Sequence, residues 1–332
     1  MNIRNKTERA PNSCRRMFDR LINSLNSELA PNTVRQYSEA LRELCECLEV
    51  PYLTEQAGAR LLQVSNDDVV DYINRAKSRP AQAGRSALIG DKVSPVTIKK
   101  KLNCLTSVFR HLIKLGLTGS NPFKDTRDAY QHHKGGDRRV TKMIDFEVIR
   151  AILDRPAFGL LEARDKAIIA ALVGGGLRRS EAAALRMSGV QEKQGHLYLL
   201  LRNTKAQRSA LQFVLPWAAP YVRDYAALRT KEGAKGSDAL FPAYTGRARS
   251  SNPITDTALY LIFKRYLKRH GVDETQYTPH SCRATVITLM LERGKSERIV
   301  QKFSRHQSVE MVAHYDKLRK ADRPEDFEDV EL

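Results

Sequence analysis

The sequence predicts a mainly α-helical chain with a small antiparallel β-sheet in its second half, an α+β fold in two domains. Three observations carry this reading. The 332 residues exceed the usual span of one hydrophobic core, and 42% hydrophobic content is enough to fill two. The first 125 residues repeat apolar side chains at helical spacing between short breaks. Past the midpoint, two short apolar runs flank one polar turn, the pattern of a hairpin.

Taken in order, Asn12 or Ser13 opens a first helix that runs to about Leu29. Pro31 sits in the first turn of a second helix, where its missing N–H costs nothing, and Val34, Tyr37, Leu41, Leu44, Cys45 and Leu48 follow on helical spacing. Ser65 or Asn66 starts a third helix, carrying Val69, Val70, Tyr72 and Ile73. Residues 80–92 read as a loop by their Gly, Pro and Ser content. Ser94 and Pro95 then start a fourth helix through Ile98, Leu102, Leu105, Val108, Phe109, Leu112 and Ile113 to Gly116. Residues 1–129 are therefore expected to form a helical domain, residues 130–142 a basic, glycine-containing linker, and residues 143–332 a second domain. In the second domain, residues 197–202 and 211–215 are expected to pair as strands around a turn at 203–209. Helices resume from Pro253, one capped by Thr278 and another spanning 309–318, before an acidic tail at 325–332.

The charge balance narrows the function. Lys and Arg number 56 against 38 Asp and Glu, a formal net charge of +18, so the chain seeks anions, and nucleic acid is the first candidate. An anionic membrane surface is the rival, but no stretch approaches the roughly 18 apolar residues of a spanning helix. The first residues lack the apolar run of a secretory signal, so a cytoplasmic, nucleoid-associated protein is expected. Five cysteines show no framework spacing, and Cys45 and Cys47 have no second Cys or His pair at zinc-site distance. His132 and His133 read as linker residues, and no metal site or cofactor is expected.

Chemistry concentrates in the last half. Gly176-Leu177-Arg178-Arg179-Ser180-Glu181 places Arg178 and Glu181 three apart on one helical face. Lys205 lies at the tip of the hairpin. His280 and Arg283 share the first turn of the helix that Thr278 opens, where free N–H groups favour anions while the helix dipole disfavours cations. Two cations there serve a bound anion better than they serve stability. His306 follows, and Tyr315 comes nine residues later. Taken singly, each has a bland reading: an ion pair, a solvated charge, a packed tyrosine. In order, the set reads as a phosphate-cleaving site. Arginine forks and imidazoles suit the extra charge on nonbridging oxygens, and a phenol of pKa about 10 needs cationic neighbours or a base before it can attack.

These residues make the chain resemble the tyrosine recombinases of the phage integrase family, the group of the Cre and Xer enzymes. The likeness spans roughly residues 140–319 through the motifs and is weaker before them. It implies that Arg178, Lys205, His280, Arg283, His306 and Tyr315 are catalytic, with Glu181 in support. It implies a two-domain, C-shaped clamp on double-stranded DNA, four protomers on two inverted-repeat sites, and room for an accessory DNA-bending protein. Lys134, Arg138 and Arg139 in the linker, and Arg305, become candidate phosphate contacts. In the mechanism so implied, Tyr315 forms a 3′-phosphotyrosyl link, Arg178, Arg283 and His306 hold the nonbridging oxygens, and Lys205 protonates the leaving 5′-oxygen. His280, held by Glu181, assists proton transfer at the tyrosine, and the arginines supply the charge a metal would bring. Two positions depart from the family's habit: Arg305 stands where glycine is common before the second histidine, and Cys282 where leucine is common before Arg283. Arg179 competes with Arg178 for the first arginine, and the Gly-Leu-Arg pattern favours Arg178. Two other readings remain: DNA relaxation of the type IB topoisomerase kind, which needs no tetramer, and a helical DNA-binding regulator without catalysis.

Overall fold

The computed structural model describes residues 13–79, 93–124, 126, 141–202, 209–246, 248–313 and 315. The chain divides into two compact units, residues 1–138 and 139–332. The division falls within the stretch read as a linker, where residues 127–140, including Lys134, Arg138 and Arg139, lie outside the described ones.

The first unit is helical: α1 Ser13–Glu28, α2 Pro31–Cys47, α3 Glu55–Leu61, α4 Asn66–Ser78 and α5 Pro95–Lys114. Local chemistry sets the starts. Ser65 Oγ accepts from the Asp68 N–H at 3.2 Å while the Asp68 carboxylate takes the Ser65 N–H at 2.8 Å, a reciprocal capping box for α4. Ser94 caps α5 by accepting from Thr97 N–H, with Pro95 in the first turn. α3 has no counterpart in the sequence reading, because seven residues with three glycine-or-alanine positions give too short an apolar period to stand out. Phe18, Leu21, Leu41, Leu44, Cys45, Leu105, Phe109 and Phe123 close the core. Burial drives the Cys45 thiol up to about 12, as suits a packed side chain.

The second unit runs α6 Phe146–Asp154, α7 Leu160–Gly174, α8 Arg179–Ala183, β1 Val190–Lys193, β2 His196–Leu201, β3 Ala210–Phe213, α9 Ala219–Lys231, β4 Pro242–Thr245, β5 Ala248–Pro253, α10 Asp256–Arg269, α11 Pro279–Glu292 and α12 Glu297–Ser304. Residues 310–313 and 315 are helical as well. This is the expected mainly helical fold with small antiparallel sheets.

Two corrections concern the strands. The expected hairpin supplies two strands of a three-stranded sheet ordered β1-β2-β3, with Val190 opposite Leu199 and Leu200 opposite Leu211. β1 is polar, Val-Gln-Glu-Lys, and reaches β2 through a two-residue turn in which Gln194 and Gly195 both take positive φ. Helices do not resume at Pro253. β4 and β5 pair first, and α10 begins at Asp256, capped by Thr255. Proline and serine in these two strands hid them from an alternation search.

α7 lies at the centre, buried from Arg164 to Gly174 on every side. Its charged residues are paired inside: Asp165 takes Arg164 at 3.0 and 2.7 Å and Arg265 at 2.5 Å, and Arg164 also donates to the Pro242 carbonyl. α11 is covered almost as fully, and its Thr285 hydroxyl accepts the Ile144 N–H at 2.8 Å. The two central helices thus present their ends, residues 174–178 and 279–283, as fixed points for the side chains discussed next.

Candidate active site

Three consecutive glycines end α7 and turn the chain toward α8. A Cβ on Gly174 would lie 2.1 Å from the Ala218 Cβ, so α7 can meet the start of α9 only without one. Gly176 adopts φ +56, where a Cβ would press on Phe303, and its carbonyl accepts from Arg283 Nη1 at 2.7 Å. Two residues on, Arg178 occupies the N-cap of α8. Glu181, at the third helical position, accepts the Arg178 N–H at 2.9 Å and the Arg178 guanidinium at 2.9 Å.

Arg283 rises from the first turn of α11 into the interior and is 1% exposed. Besides Gly176, it donates through Nη2 to the Ser304 carbonyl at the end of α12. Burial, with Arg178 and Arg305 nearby, draws its pKa down to about 10, so it remains a cation at neutral pH. His280, three residues earlier, reaches solvent. Partial loss of hydration, then Arg283 and Arg178, hold its imidazole below the ordinary range.

Arg305 follows α12 in the left-handed region, φ 56 and ψ 39, which closes the helix and turns the chain outward. Its guanidinium donates to Glu181 at 2.5 Å and to the Gln212 side chain on β3. Gln212 in turn donates to the Phe303 carbonyl at 3.1 Å. Glu181 therefore sits between two arginines, which corrects the expectation that it holds His280: the left-handed turn at Arg305 brings a guanidinium to the carboxylate first.

His306 comes next, with Nδ1 2.9 Å from Ser304 Oγ. Its pKa is pushed down to about 4 by burial and then by Arg283, Arg178, His280 and Arg305. The ring stacks on Tyr315 with centroids 6.0 Å apart and planes 21° apart. Tyr315 also packs against the cluster of Ile287, Leu291, Val300 and Val312. Burial raises its pKa, with Arg283 opposing, so the phenol is protonated at neutral pH.

Arg178, Glu181, Arg283, Arg305, His306 and Tyr315 are thus linked through one set of contacts, with His280 within electrostatic reach. Arg179 points elsewhere, pairing with Asp256 at 3.4 Å. Lys205 lies outside the described residues. Sequence reasoning missed Gln212 and Ser304. A glutamine inside the apolar run Leu-Gln-Phe-Val-Leu was a readable signal of a buried polar partner. A serine at a helix end carried none. Among the described residues, no group of three His, Cys, Asp or Glu side chains could hold a metal ion, and no helix is long and apolar enough to cross a membrane.

Comparison with known proteins gives a consistent result. Residues 142–322 match the model described as "Phage integrase family". The chain is 27% identical over 305 residues to a tyrosine recombinase of Synechococcus elongatus, covering 91% of this chain and 89% of that one. It is 25% identical over 296 residues to tyrosine recombinase XerC of Yersinia pestis, covering 89% and 87%. Among solved structures, XerH recombinase bound to a palindromic difH substrate aligns with TM-score 0.61 at 15% identity, over 97% of this chain and 91% of that one. A lambda integrase dimer bound to a COC′ core site aligns with TM-score 0.60 at 16% identity, over 98% and 85%.

Proposed function

Because the chain belongs to the phage integrase family and is a tyrosine site-specific recombinase, we propose that it cuts and rejoins duplex DNA through a covalent link to Tyr315. The phenolic oxygen attacks the scissile phosphorus, the P–O bond to the 5′-oxygen breaks, and a 3′-phosphotyrosyl bond with a free 5′-hydroxyl results. The partner strand's 5′-hydroxyl reverses the step. Bond energy is kept in the protein–DNA link, so strand exchange needs no nucleotide cofactor.

One observation carries the reading: Tyr315 stacks on His306 beside the buried cation Arg283, which alone of the named neighbours pulls its pKa downward. Arg283 leaves its Nε–H without a partner among the described residues, at a cost of about 1–3 kcal/mol that a phosphate oxygen would relieve. Arg178 and Arg283 clamp the nonbridging oxygens, and His306 donates beside them. Since the phenol starts protonated, a base is needed. His280, neutral at pH 7 and open to solvent, takes that proton, and Lys205 gives one to the leaving 5′-oxygen.

The net charge of +18 and neighbours of the same fold caught on a palindromic substrate and on a core site support double-stranded DNA with inverted-repeat sites as the partner. The reading extends to a two-domain clamp, to four protomers on two sites, and to service of a mobile element by integration, resolution or inversion.

A nicked suicide substrate tests the chemistry. Wild-type protein should form a covalent protein–DNA adduct with or without EDTA, and Tyr315→Phe should bind the site normally yet form none. An adduct that survives the substitution would move the nucleophile elsewhere, and loss of wild-type cleavage in EDTA would refute metal-free cleavage.

A further inference from the structure

We propose that Ser304 is a positioning residue for His306: its hydroxyl donates to Nδ1 and fixes the tautomer that carries the ring proton on Nε2. This rests on the reading of His306 as a donor to the phosphate. A neutral imidazole has one N–H and one lone pair, and only the Nε2–H form can present a donor outward while Nδ1 is engaged at the helix end. In the opposite tautomer the ring would offer a lone pair to an anionic oxygen.

Ser304 is placed to decide between them. It is fully buried at the last position of α12, and its Oγ lies 2.9 Å from His306 Nδ1. The hydroxyl has one proton and two neighbours within reach, the first being His306 Nδ1, which accepts only when the ring proton is on Nε2. The second is the Gln301 carbonyl at 3.3 Å, the ordinary back-bond of a helical serine, and the ring nitrogen is the nearer of the two. Gln301 also donates from Nε2 to the His306 carbonyl at 3.3 Å, so the backbone beneath the ring is held from the same helix. The same serine's carbonyl receives Arg283 Nη2. One residue therefore sets two of the proposed phosphate donors, Arg283 through its backbone and His306 through its side chain. The depressed pKa of His306 fits a ring that is neutral at pH 7, the state in which the tautomer matters.

Selective ¹⁵N-histidine NMR of the full chain at neutral pH reads the tautomer directly, with the His306 signals identified by their loss in His306→Gln. Wild-type protein should show the Nε2–H pattern. Ser304→Ala should show a mixture of tautomers and a single-turnover rate of adduct formation about 10–100-fold lower, with DNA binding unchanged, and Ser304→Thr should restore both. An Nδ1–H tautomer in the wild type, or an unaltered Nε2–H pattern in Ser304→Ala, would overturn the proposal. A shifted tautomer with an unchanged cleavage rate would leave the positioning role standing and remove His306 as the phosphate donor. Because the wild-type spectrum decides without catalysis, absence of any adduct would count against the proposed function alone.

Discussion

Arg305 holds a backbone conformation that costs a side-chain-bearing residue about 1–2 kcal/mol and glycine almost nothing. A nearly buried guanidinium shared between Glu181 and Gln212 offsets that cost. Without Arg305, the carboxylate of Glu181 would face Arg178 alone and cancel more of its charge. His306, one residue on, makes stability depend on pH. Its pKa is about 4 in the folded chain against an ordinary 6.5, so as pH falls the unfolded chain binds the proton first. The contribution of the neutral ring is complete above pH 6.5 and is lost as pH falls toward 4, and His280 adds a change of the same sign. In urea unfolding measured across this window, His306→Gln should lose less stability on acidification than wild type. Equal slopes would mean that His306 is not depressed in the folded chain.

At the scale of elements, the close approach of α7 to the start of α9 makes Gly174 the most constrained glycine in the second unit. A methyl group there meets the Ala218 Cβ at 2.1 Å, so one helix must move. Gly174→Ala should cost about 1–3 kcal/mol in denaturant midpoint terms, the usual range of overpacking. A change below about 0.5 kcal/mol would show that the helices part easily. The same elements show what a sequence can reveal. α2, α4 and α5 were legible because an amphipathic period coincides with a start signal, Pro31 for α2 and the capping serines Ser65 and Ser94 for the other two. β1, β4 and β5 were not, because edge strands with polar or proline-bearing residues lack the alternation that marks a half-buried sheet. The residues of the candidate site were legible in the order of its cations, since charged side chains are poor choices for a buried position. Of its supports, Gln212 meets Arg305 across 93 residues, a partner that no local pattern names, and Ser304 is an ordinary helix-end serine until its hydroxyl is seen beside His306.

At the scale of the whole molecule, each unit closes its own core, and the excess of cations belongs to the chain as a whole. Nonspecific binding to duplex DNA should therefore weaken steeply with salt, with a log–log slope of about −0.9 for each phosphate neutralised. A flat response would count against DNA as the partner. The same titration weighs Arg305: if its guanidinium stays with Glu181 and Gln212, Arg305→Gly leaves the slope unchanged, whereas a slope shallower by about 0.9 would make it a phosphate contact. The site's parts are also spread along the chain, from Arg178 through Gln212, Arg283 and Ser304 to Tyr315. Protein synthesis runs in that order, so a ribosome releases every cation of the site before the proposed nucleophile. On the proposed reading, a chain that stops short of Tyr315 carries the site's cations without the group that would cut.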